Sequence, residues 1–318
     1  MNNPAIFRGH QKGPFFEGWY WKHRSGPRVD AFIPGVSVDS DGRRMAFVQY
    51  IGPKGTAMAR YPIEDFYVSP RRLFIRVGEN EFSEQGARIC MTGERFDIRA
   101  NFRYGPFEMV RRTLYAPTLM GPFSYLPHME CCHDVLSLSH TVEGEFFRNG
   151  EREEYRGSGY LEKDWGRSFP EAWAWLQCSD FPGKDCRFMA AFARVPLPAG
   201  SFRGLISVFT IDGKQYRIAS YYGARVQAFY SSPRFTYLEF TQGPLRVAAE
   251  AEREGAGMLY APVLGSMNRA IEECPACPLR LRVWRHGRLV FSGRGKNAGV
   301  EQVGRLYKNR SRASFPAR

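Results

Sequence analysis

Apolar and polar residues alternate with a period of two at many points along the chain. The alternation is clearest in Trp173-Ala174-Trp175-Leu176-Gln177-Cys178, in 188–192, in 205–211 and in 279–283, where Arg280 and Arg282 face away from Leu279, Leu281 and Val283. Successive side chains of a strand point to opposite faces, so this period predicts half-buried strands. Ser40-Asp41-Gly42, Arg148-Asn149-Gly150, Ile211-Asp212-Gly213 and Arg285-His286-Gly287 separate such runs and read as hairpin connections. Helical periodicity is confined to two short stretches, 264–274 and 248–254, neither of which has both a cap and an apolar face. The pattern predicts an all-β fold of many short strands with few short helices.

An internal repeat sets the expected architecture. Leu114-Tyr115-Ala116-Pro117 recurs as Leu259-Tyr260-Ala261-Pro262, and the motifs downstream of each copy keep the same order. Glu130-Cys131-Cys132 corresponds to Glu273-Cys274, one Gly-containing hairpin to the other, and Gly159-Tyr160-Leu161-Glu162 to Gly299-Val300-Glu301. Trp19-Tyr20-Trp21 and Trp173-Ala174-Trp175 open the two halves. Two homologous β-domains are expected, 1–157 and 158–304, with a basic tail at 305–318. Strands that close into a barrel leave no open edge, and a small barrel can hold one ligand, so each half is a candidate cup.

Composition agrees with strands: 25 Phe, 16 Tyr and 6 Trp are β-favouring residues. The net charge of +13 favours anionic partners. The arginines are scattered, however, with no basic run before the tail, which reads as a solvated basic surface; peripheral contact with an anionic membrane is a partner the charge allows, and with no nucleic-acid module present nucleic acid is not expected. The longest stretch without a charge, 113–129, holds Pro117, Pro122 and Pro127 and cannot be a spanning helix. The N-terminus lacks the basic and apolar regions of a secretory signal, which points to the cytoplasm. In that compartment the seven cysteines are expected as thiols. Cys274 and Cys277 form a CxxC, but no second spaced pair completes a zinc site. Ser168 lies in no nucleophile elbow, and phosphate-binding glycine motifs are missing.

Three segments carry a family resemblance. Phe15-Phe16-Glu17-Gly18-Trp19-Tyr20-Trp21-Lys22 resembles the opening motif of the tocopherol cyclase family. Gly159-Tyr160-Leu161-Glu162-Lys163-Asp164-Trp165-Gly166-Arg167-Ser168-Phe169-Pro170, with Trp173, Trp175 and Gln177 after it, resembles its central block, and Met129-Glu130-Cys131 with His133, Ser139 and His140 is similar to the segment before that block. The likeness covers about 15–304. It implies two lipocalin-like barrels, related more distantly to AttH-like proteins and carotenoid hydratases, and the closure of a prenylated hydroquinone to a chromanol. Asp164 departs from the plant-type members, which carry Asn there.

That reaction protonates a trisubstituted alkene, and the phenol oxygen then captures the tertiary cation, so neither cofactor nor metal is required. It needs a carboxyl group kept protonated by burial, within aromatic walls that exclude water and face a developing cation. Glu17, Glu162 and Asp164 are the candidate acids, with Lys163 as charged neighbour and Trp19, Trp21, Trp165, Trp173, Trp175 and Gln177 as ligand wall. Glu17, Trp19 and Trp21 share one strand face. His133 with Glu130 is a candidate proton-transfer pair, and His128 and His140 lie in the same segment. The competing readings make Glu17 and Glu162 partners of Lys or Arg in structural pairs and His133 a structural histidine. A barrel that binds or carries an apolar lipid at a membrane surface, without catalysis, is the alternative function.

Overall fold

The computed structural model describes residues 6–9, 13–127, 129–197 and 200–307. His128 and the tail beyond Tyr307 lie outside them. Eleven antiparallel strands come first: β1 (Phe15–Ser25), β2 (Arg28–Val38), β3 (Arg44–Gly52), β4 (Gly55–Tyr61), β5 (Phe66–Val68), β6 (Phe74–Val77), β7 (Asn80–Ser83), β8 (Gly86–Gly93), β9 (Phe96–Tyr104), β10 (Cys131–Arg148) and β11 (Glu151–Gly166). Their order in the sheet is β4-β3-β2-β1-β11-β10-β9-β8-β7-β6-β5. The sheet curls so that β2 and β3 pack on β6, and β4 on β8, which makes it a nearly closed barrel.

Ten strands make up the rest of the chain: β12 (Trp173–Cys178), β13 (Cys186–Leu197), β14 (Gly200–Ile211), β15 (Lys214–Ala219), β16 (Arg225–Ser232), β17 (Phe235–Gln242), β18 (Leu245–Glu252), β19 (Gly257–Val263), β20 (Ser266–Arg285) and β21 (Arg288–Val303). Nine of them run β15-β14-β13-β12-β21-β20-β18-β17-β16, and β19 pairs with β20. Near the sheet's ends, the Gln242 amide of β17 bridges to β15, accepting from the Ala219 N–H and donating to the Arg217 carbonyl. Helix among the described residues is limited to short 3-10 turns at Ile63–Asp65, Gly121–Tyr125 and Ser220–Tyr222.

The two halves share one topology. In each, the first strand pairs with the last (β1 with β11, β12 with β21), and the last two long strands form a hairpin. Both hairpins turn through left-handed residues, Asn149 and His286, as tight β-hairpins require. The Leu-Tyr-Ala-Pro match does not survive as a structural equivalence. Residues 114–117 are irregular, whereas 259–262 lie in β19. Register, not sequence identity, aligns the halves: Glu162 lies opposite Tyr20, and Glu301 opposite Trp175.

Three further expectations are corrected. Both helical stretches are strand: 248–252 belongs to β18, hydrogen-bonded to β17 on one side and β20 on the other, and 266–274 belongs to β20. Pairing on both edges outweighs the helix propensity of an Ala/Glu run. A boundary at 157/158 falls inside β11, whose hydrogen bonds to β1 and β10 run through it. The chain instead forms two compact units, one reaching to Phe169 and taking in Ala256–Ala276, the other comprising Pro170–Gly255 and continuing from Cys277. Cys90, Cys131, Cys132, Cys178 and Cys186 are thiols, but Cys274 and Cys277 are disulfide-bonded.

The barrel interior of the first unit is packed with rings. Trp19, Trp21, Phe32, Tyr50, Phe82, Phe102, Phe146 and Tyr155 are buried together with aliphatic residues of β3, β6, β8, β9, β10 and β11. A packed core rather than an open cup therefore supports β1 and β11, and it fixes the orientation of their polar side chains.

Candidate functional site

Register divides the central motif between two faces. β1 places Trp19 opposite Lys163, Tyr20 opposite Glu162 and Gly18 opposite Asp164; β10, on the other side of β11, places His133 opposite Asp164 and Asp134 opposite Lys163. Because strand side chains alternate, Leu161, Lys163 and Trp165 point with Glu17, Trp19 and Trp21 into the barrel. Tyr160, Glu162 and Asp164 point to the other face with Tyr20 and His133. Two glycines of the motifs permit this arrangement. A Cβ on Gly159 would lie 2.3 Å from the His140 ring, and one on Gly166, at φ +148°, would lie 2.2 Å from the Glu130 carbonyl.

The inner face is a closed ionic cluster. Lys163 Nζ lies 2.5 Å from Glu17 Oε1, and neither side chain is exposed. The Arg8 N–H donates to Glu17 Oε2 at 2.8 Å, and Lys163 Nζ donates to the Ile6 carbonyl at 2.8 Å, so residues 6–8 complete the pair. Lys163 also stands over the rings of Trp19 and Trp165 at 5.2 and 5.1 Å. Beside it, Asp134 accepts from Arg112 Nη1 at 2.7 Å and from the Leu119 N–H at 2.9 Å. Burial pushes the Glu17 carboxyl up and the Lys163 ammonium down, and their mutual attraction opposes both shifts. His140 belongs to this interior: burial lowers it to about 3, so it is a neutral core histidine bonded to Ser137 Oγ at 2.9 Å.

The outer face carries a graded chain of polar groups. Asp164, 18% exposed, meets His133 Nδ1 at 2.9 Å. His133 Nε2 makes no hydrogen bond and faces Glu162 Oε2 at 3.7 Å. Glu162 Oε2 in turn accepts from the Tyr160 hydroxyl at 2.5 Å. Burial works against a charged imidazole here, but Asp164 and then Glu162 outweigh it, and His133 is held up at about 9. It is therefore cationic at neutral pH. Burial and the Glu162 carboxylate push the Tyr160 phenol well above its ordinary value. Beside this chain the Tyr20 hydroxyl donates to Glu273 Oε1, which β20 brings to the first unit. His133, Glu162 and Asp164 also hold their ligand atoms within 4.8 Å of one another, close enough for a metal ion, and the protonated imidazole supplies positive charge at that point.

The structure thus brings eight sequence-predicted residues together, His133, Glu162 and Asp164 on one face and Lys163 immediately behind them with Glu17, Trp19, Trp21 and Trp165. His133 takes Asp164 and Glu162 as partners in place of Glu130. The Glu130 carbonyl accepts the N–H groups of Arg167 and Ser168, which fixes the end of β11. Trp173, Trp175 and Gln177 belong to the second unit and are buried on one face of β12. There Trp173 Nε1 donates to Glu301 Oε2 at 2.7 Å and Gln177 Nε2 to Ser179 Oγ at 2.8 Å. Sequence reasoning missed Tyr20, Tyr160 and Glu273. The two-residue spacing of Tyr160 and Glu162 was a readable signal for one of them, whereas Glu273 comes from a strand no local pattern connects to β1.

An all-β chain of lipocalin-like barrels, with a buried carboxylate-imidazole-phenol chain on the β1–β11 face, is the class that the geometry defines. A family model of tocopherol cyclase-like proteins matches residues 84–304, well over half of the sequence. The chain belongs to the tocopherol cyclase-like family. The chloroplastic tocopherol cyclase of Zea mays is 33% identical over 82 residues, which cover 25% of this chain and 16% of that protein. Among solved structures, an AttH-type protein of Nitrosomonas europaea superposes with a TM-score of 0.57 at 12% identity, covering 96% of this chain and 98% of its own. Kievitone hydratase of Nectria haematococca gives 0.49 at 13% identity, over 92% and 88%. The AttH likeness establishes a shared fold.

Proposed function

We propose that the protein converts a prenylated hydroquinone, or a similar isoprenoid phenol, to its chromanol by alkene protonation. The observation that carries this reading is the buried run from Asp164 through His133 to Glu162 and Tyr160. It couples a partly exposed carboxylate through an imidazolium to a buried carboxylate, which suits delivery of a proton where water is excluded. In this scheme Glu162 takes a proton from His133, which is cationic at neutral pH, and passes it to the alkene. The proton adds to the less substituted alkene carbon, the phenol oxygen bonds to the tertiary cation, and the phenol proton returns through the Glu162 carboxylate to His133, which restores the starting state. Substrate and product are isomers. Tyr20 and Tyr160 supply aromatic surface beside the donor. Family membership supports the substrate class, and the fold does not by itself select it.

The test is incubation of the full chain with a prenylated hydroquinone in deuterated water. Conversion to a chromanol carrying one non-exchangeable deuterium, lost in Glu162→Gln, is expected. Recovery of the quinol unchanged from folded protein that binds it would leave an apolar-lipid carrier instead.

A further inference from the structure

The segment between β9 and β10 is built as a rigid protrusion with apolar side chains outside. Leu114 is 75% exposed and Tyr125 63% exposed, and Met109, Tyr115 and Leu126 are also exposed. The segment that carries them is tied down by hydrogen bonds. The Tyr125 hydroxyl donates to the Leu114 carbonyl, which brings the two ends of the protrusion together. Thr118 Oγ1 and Ser124 Oγ are 2.6 Å apart, Arg112 Nη1 donates to the Pro117 carbonyl at 2.8 Å, and the Leu119 N–H is anchored on buried Asp134. A soluble surface places mobile polar residues at loop tips, so ordered leucines and tyrosines there indicate a partner.

A second exposed apolar tip lies at the same end of the first unit. Leu264, at the turn between β19 and β20, is exposed, and its N–H is fixed on Ser168 Oγ at 2.8 Å. The Ser168 N–H is bonded to the Glu130 carbonyl, immediately after the protrusion returns to β10. Charge selects the partner: 109–127 holds no acidic residue, Arg112 neutralises the buried Asp134 carboxylate behind it, and the chain carries a net charge of +13. Aliphatic tips with tyrosines and no acidic residue, on a positively charged chain, fit the headgroup boundary of an anionic bilayer, where tyrosine rings are favoured.

We propose that this end of the first unit docks on an anionic phospholipid bilayer, with Leu114, Tyr115, Tyr125, Leu126 and Leu264 entering the interface. Docking does not depend on alkene protonation at Glu162. The experiment is flotation of the full chain with vesicles of phosphatidylcholine, with and without phosphatidylglycerol, for the wild type, Leu114→Glu/Leu126→Glu and Leu114→Met/Leu126→Met. The wild type should float with the anionic vesicles, the Glu pair should bind at least about tenfold more weakly, and the Met pair should keep its affinity within about twofold. Salt should weaken binding without abolishing it, because the apolar part is not screened. A wild type that stays with the soluble fraction, or a Glu pair that floats as well as the wild type, overturns the assignment. So does a concentration-dependent dimer in sedimentation that the Glu pair loses, since the patch would then join two copies of this chain.

Discussion

On its inner face β11 offers Lys163 to Glu17 with both side chains fully buried, whereas one residue to either side, on the outer face, Glu162 and Asp164 flank His133 with part of the group still open to solvent. The inner pair is saturated. Backbone groups of residues 6 and 8 complete its hydrogen bonds, and two indoles close over the ammonium. The outer group has a gradient of exposure and an imidazole nitrogen without a hydrogen bond. A strand that alternates its side chains can therefore keep ionic groups of structural and of chemical character one residue apart, separated by the thickness of the sheet.

The comparison is broken most strongly by Glu162→Gln. Turnover of a prenylated hydroquinone should fall by about 10²- to 10⁴-fold, while the fold is kept, because an amide still accepts from Tyr160 and Asp164 still holds His133. Glu17→Ala should do the reverse. Leaving Lys163 buried without its partner should cost about 3–5 kcal/mol of unfolding free energy, and Glu17→Leu combined with Lys163→Met should recover much of that loss in the same urea titration. If Glu17→Ala unfolds no more readily than wild type, the inner pair does not hold the barrel together.

Acid-base titration sharpens the contrast. His133 is raised from 6.5 to about 9 in the folded protein, so its contribution is fully present below about pH 6.5 and is lost as pH rises through about 9. A shift of that size corresponds to about 3 kcal/mol, and His133→Gln should flatten the fall in stability between those limits when melting is followed against pH. The smallest effect belongs to Tyr160→Phe. Removing its hydroxyl should cost about 1–2 kcal/mol and slow turnover less than Glu162→Gln does, as read from paired melting and rate measurements.

Much of this was legible in the chain. Turn residues located four of the hairpins, β2–β3, β10–β11, β14–β15 and β20–β21, and period two put Glu17, Trp19 and Trp21 on one face. What stayed hidden depended on register between distant strands. Nothing local says that Glu162 faces away from Glu17, since that depends on which residue of β11 lies opposite Tyr20. The Ala/Glu run at 248–254 reads as helix because propensity is a local quantity, and β17 and β20, which decide its state, are supplied from elsewhere. Glu273 was hidden for the same reason, being 253 positions from its partner Tyr20.

The inclusion of Ala256–Ala276 in the first unit bears on the order of assembly during synthesis. Strands β1 to β11 leave the ribosome together and can close their sheet, but Glu273 for Tyr20 and Tyr260 for Gln49 do not yet exist. At about 5–20 residues per second, the polar outer face of β1 and β11 waits roughly 5–20 s for them. During that interval the nascent barrel presents Tyr20 without the Glu273 carboxylate that later accepts from it.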